Sequence, residues 1–232
     1  MCLAPSIGHE GIPSEWVGFY TRYLSGFSRI SVRESHWVDQ IQRFAPRALV
    51  TQLIDPTLML DRGEWEGLLR SPITVRGYLL VYELGQLSAA HWEYIETLAR
   101  ANHLRVEVLS GQRPDTSWAS DAPDFLNLVS GADCIVTDSF HGCVFSFLFD
   151  KPMVIVRRDG FAAGMNSRID TLVEILHLED RLMECIPLSD AMSHDYDAGR
   201  VSLSQHRQRF SEYLMGQGLH LNAYTRGIML DV

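Results

Sequence analysis

The sequence predicts an α/β fold with a doubly wound, mostly parallel, Rossmann-like sheet. Short apolar segments typical of strands alternate along the chain with segments typical of helices, as in a parallel sheet whose connections are helical. Several strand segments are almost entirely apolar, which is expected of strands that are buried on both faces. Hydrophobic residues make up 46% and charged residues 21% of the 232 residues, an ordinary mixture for a globular protein.

The first elements are predicted from proline and from apolar spacing. A helix is expected to begin near Pro13, with Ser14 or the residues before it as the cap. Its aromatic residues recur at helical spacing and are expected to face the core rather than to stack on a sugar; they are Trp16, Phe19, Tyr20 and Tyr23. A strand over 29–33, a helix over 34–44 and a strand over 48–54 are expected to follow.

The rest of the chain continues this alternation. We expect strands over 78–82, 104–109, 133–137 and 152–156. We expect helices over 88–101, 122–128, 141–149, 167–176 and 203–219. Ligands of open parallel sheets bind beyond the carboxyl ends of the strands. The candidate binding positions are therefore those that follow a strand: Arg33-Glu34, Asp55-Pro56, Glu83, Ser110-Gly111 and Asp138 to Gly142.

Charge, motifs and cysteines exclude several classes of protein. The net charge of −9 argues against a general nucleic-acid-binding protein. No Gly-x-Gly-x-x-Gly or Walker-type loop is present, so a nucleotide-dependent dehydrogenase or kinase is poorly supported. The four cysteines form no Cys-x-x-Cys pair, so we expect no metal site, and Cys134 and Cys143 are expected to be buried hydrophobic residues. Without a signal-peptide pattern or a membrane span, the expected location is the cytoplasm.

The strongest local pattern is the segment Asp138-Ser139-Phe140-His141-Gly142, between a buried strand and an apolar helix. His141 then lies at the N-terminus of the helix, where unpaired backbone N–H groups and the helix dipole favour an anion. A protonated imidazole would add a transferable proton, and Gly142 would allow a close approach to the backbone. In the alternative interpretation, Asp138 and Ser139 cap the helix and His141 merely packs.

Two arginines offer further contacts to an anion. Arg33 precedes Glu34 at the end of a strand and could bind a carboxylate or a phosphate with two hydrogen bonds. A surface ion pair with Glu34 or a neighbour is the alternative. Arg168 lies in the first turn of a predicted helix, where the helix dipole disfavours a cation, and this indicates an anionic partner or, equally, a solvated side chain.

Taken together, these motifs resemble those of the polysaccharide pyruvyl transferase family. The matching segments agree in order and spacing over residues 3–185, and they are 6–8, 30–34, 55–60, 138–142, 166–172 and 178–182. Many family members have Arg and then Leu or Met at the positions of Ser139 and Phe140, so this chain differs there.

The resemblance implies transfer of pyruvate from phosphoenolpyruvate to a pair of saccharide hydroxyls as a ketal, in the synthesis of exopolysaccharide or another cell-surface glycan. Phosphoenolpyruvate would be the donor, with no cofactor, and a saccharide or lipid-linked oligosaccharide would be the acceptor. The catalytic residues would be His141 and Arg33. The substrate-binding residues would be Glu34, Asp138, Ser139, Phe140, Gly142 and Arg168.

The resemblance also implies one half of a two-domain fold like that of the GT-B glycosyltransferases. We expect 1–12 to be a remnant of the connection between the halves, 13–187 to form the donor-binding domain, and 188–232 to form a helical tail that packs on or beyond it. The chain is then a fragment, or works with an N-terminal half encoded as a separate subunit, or is a non-catalytic binding domain. Half of a nucleotide-sugar glycosyltransferase is an alternative with the same fold.

Overall fold

The computed structural model of the chain describes residues 3–8, 11–69, 76–110, 121–158, 164, 166–224 and 227–231. It has the α/β class and the doubly wound arrangement that the sequence predicts. Its strands are β1 (Arg29–Val32), β2 (Leu49–Gln52), β3 (Tyr78–Glu83), β4 (Arg105–Ser110), β5 (Cys134–Thr137), β6 (Met153–Ile155), β7 (His220–Tyr224) and β8 (Gly227–Asp231). Its α-helices are α1 (Val17–Leu24), α2 (Trp37–Phe44), α3 (Arg62–Glu66), α4 (Ala89–Ala101), α5 (Ala122–Gly131), α6 (Phe140–Leu148), α7 (Asn166–Leu176) and α8 (Asp197–Met215).

The parallel strands form two sheets. Strands β1 and β2 pair with each other, and the larger sheet has the strand order β4-β3-β5-β6. The chain leaves β3 for β4 on one side and leaves β5 for β6 on the other, so the winding reverses between β3 and β5. Such a reversal is where open parallel sheets bind their ligands. The segments after these strands are therefore expected to carry the site.

Both faces of the four-stranded sheet are buried at its strands β3, β5 and β6, whereas most of the edge strand β4 is only half-buried. Along β3 and β5, Leu80 and Ile135 join the core beneath α5, α6, α7 and α8, whereas Leu79 and Val136 join a second core beneath α4. This alternation across a sheet covered on both sides explains why the strands read as almost continuously apolar. Cys134 and Cys143 are fully buried, as predicted, and burial raises the pKa of each thiol to about 12.

The aromatic residues of the first helix were predicted to lie in the core, and that prediction is wrong. Trp16, Phe19 and Tyr23 are 51%, 52% and 56% exposed. Their rings pack on one another, with the Phe19 and Tyr23 centroids 4.5 Å apart. Helical spacing identifies an apolar face but not what covers it, and within the described residues no residue of α1 is buried. The helix begins with a 3-10 turn at Ser14–Trp16 and continues as α1.

The C-terminal region differs from the expected single helix. Helix α8 begins at Asp197, before the predicted start at 203, and the antiparallel pair β7–β8 follows it. The helix packs on the main core through Leu203, Phe210 and Leu214. None of the helices in the described part of the chain is both long and apolar enough to cross a membrane.

Candidate functional site

The N-terminus of α6 is built by its own cap. The Ser139 hydroxyl accepts a hydrogen bond from the Gly142 N–H at 3.2 Å, so Ser139 is the N-cap. A Cβ on Gly142 would collide with the side chain of Thr137, so this position accepts only glycine if α6 is to pack against β5. With these residues turned inward, His141 is left on the outer side of the first turn, with 49% of its side-chain surface exposed.

Asp138 is buried behind the helix N-terminus and does not cap it. Its two carboxylate oxygens accept hydrogen bonds from the N–H groups of Leu84 and Gly85, each at 2.7 Å. The Arg158 Nε donates a third hydrogen bond at 3.0 Å. Asp138 therefore joins the end of β5 to the segment after β3, across the point where the winding reverses. Of the two proposed caps, only Ser139 acts as one.

Arg33 and Asp55 meet in front of α6, at the carboxyl ends of β1 and β2. An Arg33 guanidinium nitrogen lies 2.7 Å from Asp55 Oδ2, and the guanidinium carbon lies 5.1 Å from the centre of the Phe140 ring. Asp55 Oδ1 accepts hydrogen bonds from the N–H and the hydroxyl of Thr57. The carboxylate and the ring thus hold Arg33 in place from two directions. The sequence marked Asp55 as one of several candidate positions that follow a strand, and in the structure it lies against both Arg33 and His141.

His141 faces the same carboxylate. Its Nε2 lies 3.9 Å from Asp55 Oδ2, and its ring packs edge to face against Phe140. Partial burial lowers the pKa of His141 below 6.5; Asp55 opposes this shift, while Arg33 and Arg168 add to it. The imidazole is therefore mainly neutral at pH 7 and can accept a proton when an anion is present to stabilise its charged form.

Arg168 completes the positive side of the site from the first turn of α7. The pKa of Arg168 is lowered, mainly by burial and also by the nearby cations Arg158 and Arg33. Glu34 opposes this shift. Within the described residues the Arg168 guanidinium makes no hydrogen bond or ion pair, and its buried Nε has no acceptor; the buried Nε of Arg33 also has none. Buried donors are normally satisfied, so the Nε atoms of the two arginines present hydrogen-bonding capacity that no described residue uses.

The space between the two arginines is small. A cavity of about 10 Å³ lies among Arg33, Arg168, Asp55 and Phe140, which is room for about one water molecule. A carboxylate or a phosphate therefore does not fit between the two guanidinium groups in this arrangement. Glu34 is fully buried behind them, where it accepts hydrogen bonds from the Ser6 hydroxyl and the Ile7 N–H.

The structure thus divides the eight predicted site residues into two groups. Arg33, Phe140, His141 and Arg168 come together around the same point. The other four support them from behind through hydrogen bonds or close packing: Glu34, Asp138, Ser139 and Gly142. Among the earlier strand-end candidates, Glu83 is buried, and Gly111 lies outside the described residues. Arg158, which holds Asp138, was missed by sequence reasoning because no local pattern distinguishes it.

A larger cavity of about 550 Å³ has His141 in its lining. Its apolar lining includes Trp65, Tyr82, Phe125 and Phe145. These rings form a continuous series in which neighbouring centroids lie 5.0 to 5.7 Å apart. The sequence could not reveal this cavity, because its rings come from α3, β3, α5 and α6, which are distant along the chain.

Metal-binding geometry is not found in the described part of the chain. No group of three or more His, Cys, Asp or Glu side chains there could hold a metal ion. The polar groups of the site are instead arginine donors, one imidazole and the carboxylates that orient them. This set suits an anionic ligand that carries carboxylate or phosphate oxygens.

Comparison with known proteins identifies the family. A family model described as polysaccharide pyruvyl transferase matches residues 1–160. No curated protein and no solved structure matches the chain. The matched region contains Arg33, Asp55 and the segment from Asp138 to Gly142, whereas Arg168 lies beyond it. Since this region covers more than half of the 232 residues, the chain belongs to the polysaccharide pyruvyl transferase family.

Proposed function

We propose that this protein binds phosphoenolpyruvate at the outer face of Arg33, Arg168 and His141 and transfers its pyruvyl group to two hydroxyls of a saccharide. The observation that carries the proposal is the pair of guanidinium groups with unused donors beside an imidazole. Phosphoenolpyruvate has a carboxylate and a phosphate, and each is a natural partner of an arginine. The N-terminus of α6 adds to the positive potential there.

The reaction requires a proton on the methylene carbon and attack by two hydroxyls, one after the other, on the central carbon. A proton added to the methylene carbon makes a methyl group and leaves the central carbon electrophilic. One acceptor hydroxyl adds to that carbon and loses its proton, and the second hydroxyl then displaces phosphate to give the ketal. The net products are the pyruvate ketal and hydrogen phosphate, so the two hydroxyl protons end on the methyl group and on phosphate.

His141 is the candidate that moves these protons. The neutral imidazole becomes protonated when the anionic donor binds, because the donor's charges favour the imidazolium. It can then protonate the methylene carbon and recover a proton from the attacking hydroxyl, a type of catalysis that contributes about 10²–10⁴-fold. Asp55 positions the ring and offsets the charge of Arg33. Arg33 and Arg168 stabilise the departing phosphate.

We further propose that the product belongs to an exopolysaccharide or another cell-surface glycan, with a free or lipid-linked saccharide as the acceptor. The reaction would take place in the cytoplasm. The described cysteines Cys134, Cys143 and Cys185 form no disulfide, which agrees with a reducing compartment. Family membership supports a saccharide acceptor. A second α/β half, as a partner subunit or further chain, would complete the fold that the family resemblance implies.

Calorimetric titration with phosphoenolpyruvate tests the donor assignment. We expect saturable binding by the natural chain and strongly reduced binding by Arg33→Ala and by His141→Ala. His206→Ala is the matched control, because burial also lowers the pKa of that histidine but it lies on α8. Binding that is absent in the natural chain, or unchanged in both site variants, would refute the proposal.

A further inference from the structure

The turn that follows β2 determines where the carboxylate of Asp55 points. Asp55 caps the short 3-10 helix Pro56–Met59, and its Oδ1 accepts hydrogen bonds from the N–H and the hydroxyl of Thr57 at 2.9 and 2.6 Å. Its other oxygen, Oδ2, lies 2.7 Å from an Arg33 guanidinium nitrogen and 3.9 Å from His141 Nε2. Because the cap fixes Oδ1 to the turn, any change in the orientation of the turn moves Oδ2 relative to both groups.

Side chains from other elements hold the carbonyl groups of this turn. A helix this short leaves its last carbonyl groups without partners inside the helix. Arg207 donates from Nε to the Leu58 carbonyl at 2.6 Å and from Nη2 to the Leu60 carbonyl at 2.7 Å. The indole of Trp65 donates to the Thr57 carbonyl at 3.1 Å. The turn is therefore fixed to α8 at two points and to α3 at one.

Helix α8 holds Arg207 in the position that these hydrogen bonds need. Leu203 and Phe210 precede and follow Arg207 by four and three residues, so all three lie on the same face of the helix. Both apolar neighbours are buried in the main core, and they fix the face that carries the guanidinium. The planar guanidinium then binds two carbonyls at once with charged hydrogen bonds. A flexible surface arginine would not hold a turn in this way.

We infer that Arg207 is a positioning residue of the site, because it fixes the turn that places Asp55 against the imidazole of His141. The placement of Asp55 is independent of the donor. The effect on phosphoenolpyruvate, described below, rests on the proposed function. Arg207 lies beyond the residues 1–160 that the family model matches, so α8 contributes to the site from outside the matched region.

An NMR titration of the His141 imidazole tests this inference, with His141→Asn to assign the signal. Asp55 raises the pKa of His141, whereas burial, Arg33 and Arg168 lower it. If Asp55 is no longer held, its upward effect weakens, so Arg207→Met should lower this pKa by about half a unit, a fraction of the roughly one to three units that a close opposite charge can cause. Loss of the Arg207 charge alone would raise the pKa, so the direction of the shift separates the two effects.

Two further variants provide the controls. Arg200→Met removes an arginine of the same helix that donates to Asp150 and Asp197 instead of to the turn, and it should leave the pKa of His141 unchanged. Arg207→Lys keeps the charge and one donor, so it should lower that pKa by less. Urea unfolding of the same samples measures stability. A loss of stability with an unchanged pKa of His141 in Arg207→Met, or in Arg207→Lys if Arg207→Met does not fold, would show a purely structural role and overturn the inference.

Phosphoenolpyruvate titrated into the same samples distinguishes this inference from the proposed function. We expect the affinity to fall about three- to tenfold in Arg207→Met, the effect of one weakened hydrogen bond, and to stay the same in Arg200→Met. A lowered pKa of His141 in Arg207→Met, without donor binding by the natural chain, would support the positioning role and refute the donor assignment. Donor binding that is equal in the natural chain and in Arg207→Met, with equal pKa values of His141, would overturn the positioning role and leave the donor assignment in place.

Discussion

At the scale of single residues, the site contains a cation, Arg168, for which the described residues supply no hydrogen bond or ion pair. Arg33 has Asp55 and Arg158 has Asp138, at 2.7 and 3.0 Å. Arg168, in the same cluster, makes no hydrogen bond or ion pair within the described residues. An arginine kept in this state weakens the free protein slightly, because an unsatisfied buried donor is unfavourable. Its presence is explained if a ligand supplies the missing acceptor.

Replacing Arg168 by alanine should therefore separate binding from stability. We expect the affinity for phosphoenolpyruvate to fall about 10- to 100-fold, the effect of losing charged hydrogen bonds. The free energy of unfolding should change little, because within the described residues Arg168 makes no hydrogen bond or ion pair and its buried Nε has no acceptor. Calorimetry and urea unfolding measure the two quantities. Arg157→Ala is the control, since that exposed arginine pairs with Asp170 and Glu184. A loss of stability in Arg168→Ala without a loss of affinity would show that Arg168 has a structural role.

The lowered pKa of His141 predicts that donor binding takes up a proton. In the free protein the pKa lies below 6.5, and a bound anion raises it. Binding therefore becomes tighter as the pH falls through the raised pKa of the complex, and the gain levels off below the pKa of the free protein. Calorimetry at pH 7 in buffers with different ionisation enthalpies gives the number of protons taken up on donor binding, because the measured heat then changes with the buffer.

The ligand's phosphate also titrates, so the proton count needs a reference. His141→Asn keeps a polar side chain without the titration, and the difference between the two proteins is the contribution of His141. We expect the natural protein to take up more protons than the variant at pH 7. Equal counts in the two proteins would mean that His141 does not change its protonation state when the donor binds.

At the scale of elements, a glycine in α8 allows this helix to pack closely against α7, whereas a glycine in α1 makes no close contact. A Cβ on Gly199 in α8 would collide with the backbone carbonyl of Leu176 at the end of α7. Gly18 in α1 has open space around its Cβ position. The first glycine is needed for α8 to dock, whereas the second only lowers the helix propensity of α1.

The two alanine substitutions should change stability in opposite directions. Gly199→Ala is expected to lower the free energy of unfolding by about 1–3 kcal/mol, the usual effect of overpacking against atoms that cannot move away. Gly18→Ala is expected to raise it by up to about 1 kcal/mol. Urea unfolding measures both. A neutral Gly199→Ala would mean that α8 can shift along α7 without loss.

At the scale of the whole molecule, large aromatic residues are divided between the core and the surface. Trp37 is fully buried in the cluster formed by β1, β2 and α2. Trp16 is 51% exposed and packs against Phe19, which is itself exposed. Both tryptophans belong to amphipathic segments, so their spacing alone does not distinguish them.

Their substitution should reveal the difference. Trp37→Ala is expected to lower the free energy of unfolding by about 3–5 kcal/mol, as for other buried aromatic residues. Trp16→Ala is expected to change it by less than about 0.5 kcal/mol, as for surface positions. Chemical unfolding of the isolated chain measures both values. A large loss in Trp16→Ala would mean that this helix face is covered in the protein.

The sequence by itself determined the order of the elements and part of the site. Strands that alternate with helices, and that are apolar on both faces, have few arrangements available other than a doubly wound parallel sheet. The same order puts His141 at a helix N-terminus. The residues alone named Asp138 and Ser139 as possible caps, and only Ser139 caps α6. These features depend on local backbone preferences and on apolar periodicity, which a single chain segment already contains.

Only the tertiary structure decided which residues act together. The residues Arg33, Asp55, His141 and Arg168 follow different strands or begin different helices. They meet only because the ends of β1 and β2 lie against the start of α6. Three features all depend on distances between remote segments: the pairing of Arg33 with Asp55, the lack of a hydrogen bond or ion pair to Arg168 within the described residues, and the aromatic cavity beside His141. So does the exposure of Trp16. Local preferences set each element, but burial and charge pairing are properties of the packed molecule.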